Sequence, residues 1–112
     1  MCNSKILHLN EHGCISMCTE CSKIQVCFGT TVTTHSRSEF EEFCIYIKKM
    51  NIKYADTDNI YAKKVFIRTA LDNLSFVYSS FDLVNLDDLL SQAKAIITVQ
   101  SILDSSALSE RN

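Results

Sequence analysis

At 112 residues the chain fits a single domain and is long enough to bury an ordinary core without needing disulfides or a metal to fold. Hydrophobic residues make up 46% and charged residues 21%, proportions ordinary for a globular protein. The formal net charge of −2 opposes broad attraction to nucleic acid or to an anionic lipid surface. No run approaches the roughly 18 apolar residues of a membrane helix. Asn3-Ser4-Lys5 is followed by no apolar segment of the signal-peptide kind. The expectation is a cytoplasmic protein whose six cysteines stay reduced, most as small buried hydrophobes and a subset as ligands.

The first third reads as short strands. Lys5 to Leu9 is a candidate strand, and Asn10-Glu11-His12-Gly13 carries turn residues. Cys14 to Cys18 and Lys23 to Phe28 follow, the latter with Ile24, Val26 and Phe28 on one face. Gly29-Thr30 turns the chain into the β-branched segment Thr31 to His35. The simplest arrangement is a four-stranded antiparallel meander.

Ser36 and Glu39 have capping-box spacing, and Phe40, Phe43, Cys44, Ile47 and Met50 make an apolar stripe at helical spacing. Asn51 to Ala62 reads as irregular and mobile. A hairpin is expected from Lys64 to Leu71 and Leu74 to Ser80 around an Asp72-Asn73 turn. Asn85 is the expected N-cap of a last helix, with Asp87 and Asp88 in its first turn. Leu86, Leu89, Leu90, Ala93, Ile96, Ile97 and Leu103 line one face, while Ala95, Val99 and Ile102 lie opposite. A helix apolar on two sides must bury both, under a wrapped sheet or against a second subunit. The resulting expectation is an α+β fold: a four-stranded meander plus a later hairpin, with two helices packed on the sheet. One domain covers residues 1–104 and a frayed tail covers 105–112.

The chemistry-bearing feature is Cys18-Thr19-Glu20-Cys21. In thiol–disulfide enzymes such a pair opens a helix, whose dipole lowers the thiol pKa. Here Ser22 to Val26 reads as strand, which argues for the turn of a zinc knuckle, where both thiolates face one ion. That is half a site. Folding the chain start back along the second strand places Ile6 near Cys18 and Cys2 near the knuckle, while His35 pairs near Ile24. Cys2, Cys18, Cys21 and His35 are therefore the candidate Zn²⁺ ligands. Cys14 is four residues from Cys18, about 13 Å along an extended strand, so it gathers instead with Cys27 and His12 at the other end. The plainer alternatives stay open: a buried turn pair or reduced thiols at Cys18 and Cys21, a capping His35, solvated His8 and His12, and packing for Cys14 and Cys27. The scattered Tyr46, Tyr54, Tyr61 and Tyr78 form no nucleic-acid platform. Phosphate-loop, nucleophile-elbow and zinc-protease patterns are absent.

The run from Cys18 through Lys23-Ile24-Gln25-Val26-Cys27-Phe28-Gly29 to Thr30, followed by Ser38-Glu39-Phe40, resembles a family of short uncharacterised bacterial proteins that begin Met-Cys. The resemblance implies no activity. It implies that Cys2 belongs with Cys18 and Cys21, and it says nothing of His35. The functional expectation is a small non-enzymatic, zinc-knuckle-like interaction or regulatory module, homodimeric through Ala95, Val99 and Ile102. The alternatives are a thiol redox protein using Cys18 and Cys21, and a zinc-knuckle nucleic-acid-binding protein, which the net charge opposes.

Overall fold

The computed structural model describes residues 3–55 and 58–111, with side chains described through Asp104. Four strands, β1 (Ser4–Asn10), β2 (Gly13–Cys18), β3 (Ile24–Phe28) and β4 (Thr31–His35), pair in sequence order as an antiparallel meander. The Asn10 side-chain oxygen accepts bonds from the N–H groups of His12 (2.8 Å) and Gly13 (3.2 Å), which closes the β1–β2 turn on Glu11 and His12. Gly29, at φ +60°, supplies the left-handed residue of the β3–β4 turn. The register shifts by one between Ile6 and His8. Leu7 is thus buried, while Ile6 and Leu9 are exposed.

Alternation divides the sheet into two faces. Ile15, Ile24, Val26 and Phe28 point into the core, and Cys14, Ser16, Gln25 and Cys27 point the other way. Gly13 is held at a close approach: a Cβ there would lie 2.2 Å from the Cys27 carbonyl oxygen and 3.0 Å from Leu89 Cδ2.

Helix α1 (Arg37–Lys53) begins with the expected capping box. Ser36 Oγ accepts from the Glu39 N–H at 3.2 Å, and the Glu39 carboxylate accepts from the Ser36 N–H at 2.7 Å. Phe40, Cys44 and Ile47 are buried, with Phe43 and Met50 packed beside them. Burial pushes the Cys44 thiol up to about 11, the behaviour of a core residue. The helix runs to Lys53, so the first residues expected to be irregular are helical.

The hairpin forms from β5 (Val65–Arg68) and β6 (Ser75–Tyr78), shorter than expected, with a loop over Thr69–Leu74 in place of the Asp72-Asn73 turn. Thr69 stabilises that loop by donating its hydroxyl to the Leu74 carbonyl at 2.7 Å. The hairpin is a separate two-stranded sheet and does not extend the meander. Its inner face, Val65, Ile67 and Tyr78, joins the common core, where Phe28 and Tyr78 meet edge to face at 5.8 Å.

Helix α2 (Ser80–Arg111) starts five residues before the expected Asn85 cap. The cap is Ser79, whose Oγ accepts from the Asp82 N–H at 3.0 Å while the Asp82 carboxylate accepts from the Ser79 N–H at 2.9 Å. Asn85 lies inside the helix and donates its side-chain amide to the Phe81 carbonyl at 2.9 Å. The Ser80 hydroxyl donates to the Tyr54 carbonyl at 2.9 Å, tying the start of α2 to the end of α1. Leu83, Leu86, Leu89, Leu90, Ala93 and Ile97 are buried on the sheet and α1, whereas Ile96 and Leu103, expected on that face, are exposed. Residues 105–111 continue the helix. Among the described residues no helix is long and apolar enough to cross a membrane.

Candidate functional site

Cys18 ends β2 and is buried. Its backbone sets up a tight turn: the Ser22 N–H donates to the Cys18 carbonyl at 3.0 Å, and the Cys18 N–H donates to the Lys23 carbonyl at 2.9 Å. Ser22 has φ +62° and is the one non-glycine residue of the described chain in the left-handed region. That reversal returns the chain into β3 and lets the Cys21 N–H donate to Cys18 Sγ at 3.3 Å.

Opposite Cys18 stands Ser4 rather than the expected Ile6. Two features move the register. The turn is a two-residue one on Glu11 and His12, and the bulge at Leu7 adds one further step. Asn3 is thereby drawn to the knuckle, its carbonyl accepting both the N–H (2.8 Å) and the hydroxyl (3.1 Å) of Thr19. Cys2, the residue before Asn3 in sequence, lies outside the described residues.

A pocket of about 370 Å³ at this corner is lined by Ser4, Ser16, Cys18, Cys21, Lys23, Gln25 and Thr34. These are residues of the face turned away from the helices. His35 has the expected strand partner, Ile24, and like Ile24 it faces the helices. Its imidazole stacks on Phe43 of α1 with centroids 5.0 Å apart, and Nε2 lies 2.8 Å from Thr33 Oγ1. Burial holds the His35 pKa below the ordinary histidine value, against a weaker upward pull from Glu39. The structure thus groups Cys18 with Cys21 on one face and puts His35 on the other. Among the described residues no three His, Cys, Asp or Glu side chains gather as a metal site.

His35 instead lines a groove of about 1090 Å³ between α1, β4 and the hairpin. Glu42, Phe43 and Tyr46 form one wall and Phe66, Arg68 and Phe76 the other. An apolar cleft with a few convergent polar groups is the usual form of a small-molecule site. The sequence carries no local signal for it, because its two walls are 20 or more residues apart and meet only through tertiary packing.

The fold and this site define an α+β domain with a cysteine turn at one sheet corner. The chain belongs to the family of unknown function DUF6686, whose model matches residues 1–108. No curated protein and no solved structure matches it.

Proposed function

We propose that the protein is a small non-enzymatic interaction module stabilised at its N-terminal corner by a zinc ion on the thiolates of Cys2, Cys18 and Cys21. The observation that carries this reading is the Cys21 N–H directed at Cys18 Sγ within a turn reversed at Ser22. The anchoring of Asn3 by Thr19 supports Cys2 as the third ligand, because covalent connection keeps Cys2 within one residue of that bond. His35 is left out of the ligand set, since its ring is committed to Phe43 and Thr33. Zinc takes four ligands, so the fourth position falls to a water or to a partner's side chain.

The interaction role has its own support in α2. At about 1.5 Å per residue its 32 residues span about 48 Å, and the molecule's long axis is 56 Å. Val99 (52% exposed) and Ile102 (60%) lie on its exposed surface together with Ile96 and Leu103. At about 100° per residue Ile96, Val99 and Leu103 fall within about 60° of one another and Ile102 about 60° further round. The four thus share one broad exposed face rather than the opposite sides expected, and a second copy of the chain is the partner proposed for it.

Metal analysis of protein purified without a histidine tag tests the zinc reading. The expected result is about one zinc per chain, with Cys18→Ser losing it; less than about 0.2 zinc per chain ends the reading.

A further inference from the structure

The face of the meander turned away from the helices carries a row of four directly opposed residues, one from each strand: Leu9, Cys14, Cys27 and Val32. Both cysteines are half-buried and both are free thiols. Leu9 (63% exposed) and Val32 (61%) flank them on the open surface. The pairing type of the two cysteines follows from the bonds at the ends of the β2–β3 ladder. The Cys18 N–H bonds the Lys23 carbonyl, and the Gly29 N–H bonds the His12 carbonyl. Hydrogen-bonded pairs alternate along an antiparallel ladder, so Cys14 and Cys27 are one of them.

That assignment decides between two uses of a thiol pair. In a hydrogen-bonded pair the Cα atoms are about 5.5 Å apart, and the Cβ atoms sit at the long end of about 4.5–5.5 Å. A relaxed disulfide needs its Cβ atoms about 3.5–4.5 Å apart, so a bond here is strained and easily reduced. Two metal–thiolate bonds of about 2.3 Å span up to about 4.6 Å between sulfurs, which this separation accommodates without moving the strands. Among the described residues no third His, Cys, Asp or Glu joins the pair. Zinc and calcium ask for more ligands than two, whereas a soft monovalent ion is satisfied by two thiolates.

We propose that Cys14 and Cys27 form a two-thiolate clamp for a soft monovalent cation of the Cu(I) type, separate from the corner at Cys18 and Cys21. Each thiol gives up its proton as its sulfur bonds the ion; no electron is transferred. Leu9 and Val32 flank the pair on either side. Burial, and after it the neighbouring Cys27, push the Cys14 thiol pKa up.

Anaerobic competition for Cu(I) against a chromogenic chelator tests the clamp on the full chain, as wild type, Cys14→Ser and Cys27→Ser. The expected result is that wild type holds about one Cu(I) more per chain than either variant, with the two variants equally reduced. Wild-type copper retention in both variants overturns the proposal. A second readout needs no variant: Cu(I) should protect Cys14 and Cys27 of the wild-type chain from alkylation by iodoacetamide. Equal labelling with and without Cu(I) also overturns it. Neither readout depends on zinc at the corner, so the two proposals fail separately.

Discussion

The imidazole of His35 lies nearly parallel to the ring of Phe43, at an interplanar angle of 18° with centroids 5.0 Å apart. The contact joins the last residue of β4 to the second turn of α1, just beyond the Ser36 cap. It converts a histidine beside a helix start into part of the packing between the sheet and its first helix. It also explains why the ring is held toward its neutral form.

That packing has a pH signature. Because burial depresses the folded pKa of His35, the unfolded chain takes up a proton at higher pH than the folded one. The His35 contribution is complete above the ordinary histidine value of about 6.5 and is lost as pH falls from there toward the depressed value. An NMR titration of the His35 ring should show a midpoint below the ordinary value. Phe43→Ala, which opens the site to water, should move that midpoint back up. A midpoint at or above the ordinary value would mean the ring is solvated.

The start of α2 should govern acid sensitivity. Burial alone raises the Asp82 pKa, but the bonds from Lys63 and from the Ser79 backbone and side chain together outweigh it and hold the carboxyl below its ordinary value. A depressed carboxyl stabilises the fold above its unfolded pKa, and that stability is lost as pH falls through the folded pKa. Ser79→Ala should cost about 1–2 kcal/mol in urea unfolding, the upper part of the range for a lost cap, since Ser79 is buried. Asp82→Asn should flatten the acid limb of the stability profile. An unchanged limb would remove Asp82 from the account.

Two backbone positions should respond in opposite senses to a small side-chain change. Ser22→Gly relieves the left-handed strain at φ +62° and should be neutral or stabilising by up to about 1 kcal/mol, with metal content intact. Gly13→Ala drives a Cβ into the Cys27 carbonyl and should cost about 1–3 kcal/mol or more. Thermal melts of both variants beside wild type read the two signs together. A destabilising Ser22→Gly would show that the hydroxyl, not the turn conformation, is what matters there.

The exposed stripe on α2 predicts the oligomeric state. Sedimentation of the wild-type chain at tens of micromolar should report a dimer, and the double substitution Val99→Lys, Ile102→Lys should give a monomer of unchanged helix content. A wild-type monomer at that concentration would leave the stripe without the proposed partner.

The parts of the fold readable in advance were those with local, periodic signals. The meander follows from alternation and from the turn residues at Asn10 and Gly29, and α1 from Ser36, Glu39 and its apolar stripe. Ser79 and Asp82 carry the same box one element later. It was hidden because Ser79 and Ser80 also read as the end of a β-branched and aromatic strand, which drew attention to Asn85. The register at the knuckle is displaced one step by the two-residue turn on Glu11 and His12 and a second by a bulge that leaves no mark in the residues around Leu7. The side of the sheet that His35 occupies was legible, since it pairs with Ile24 and opposed residues share a face. The hairpin's separation from the meander depends on core packing, which no local pattern of residues encodes.

X-ray absorption at the zinc edge, on protein isolated without a histidine tag, reads the ligand set at the Cys18–Cys21 corner. The expected first shell is three sulfurs at about 2.3 Å with one lighter atom completing a tetrahedron. A shell dominated by nitrogen and oxygen, or the absence of zinc from the sample, would contradict it.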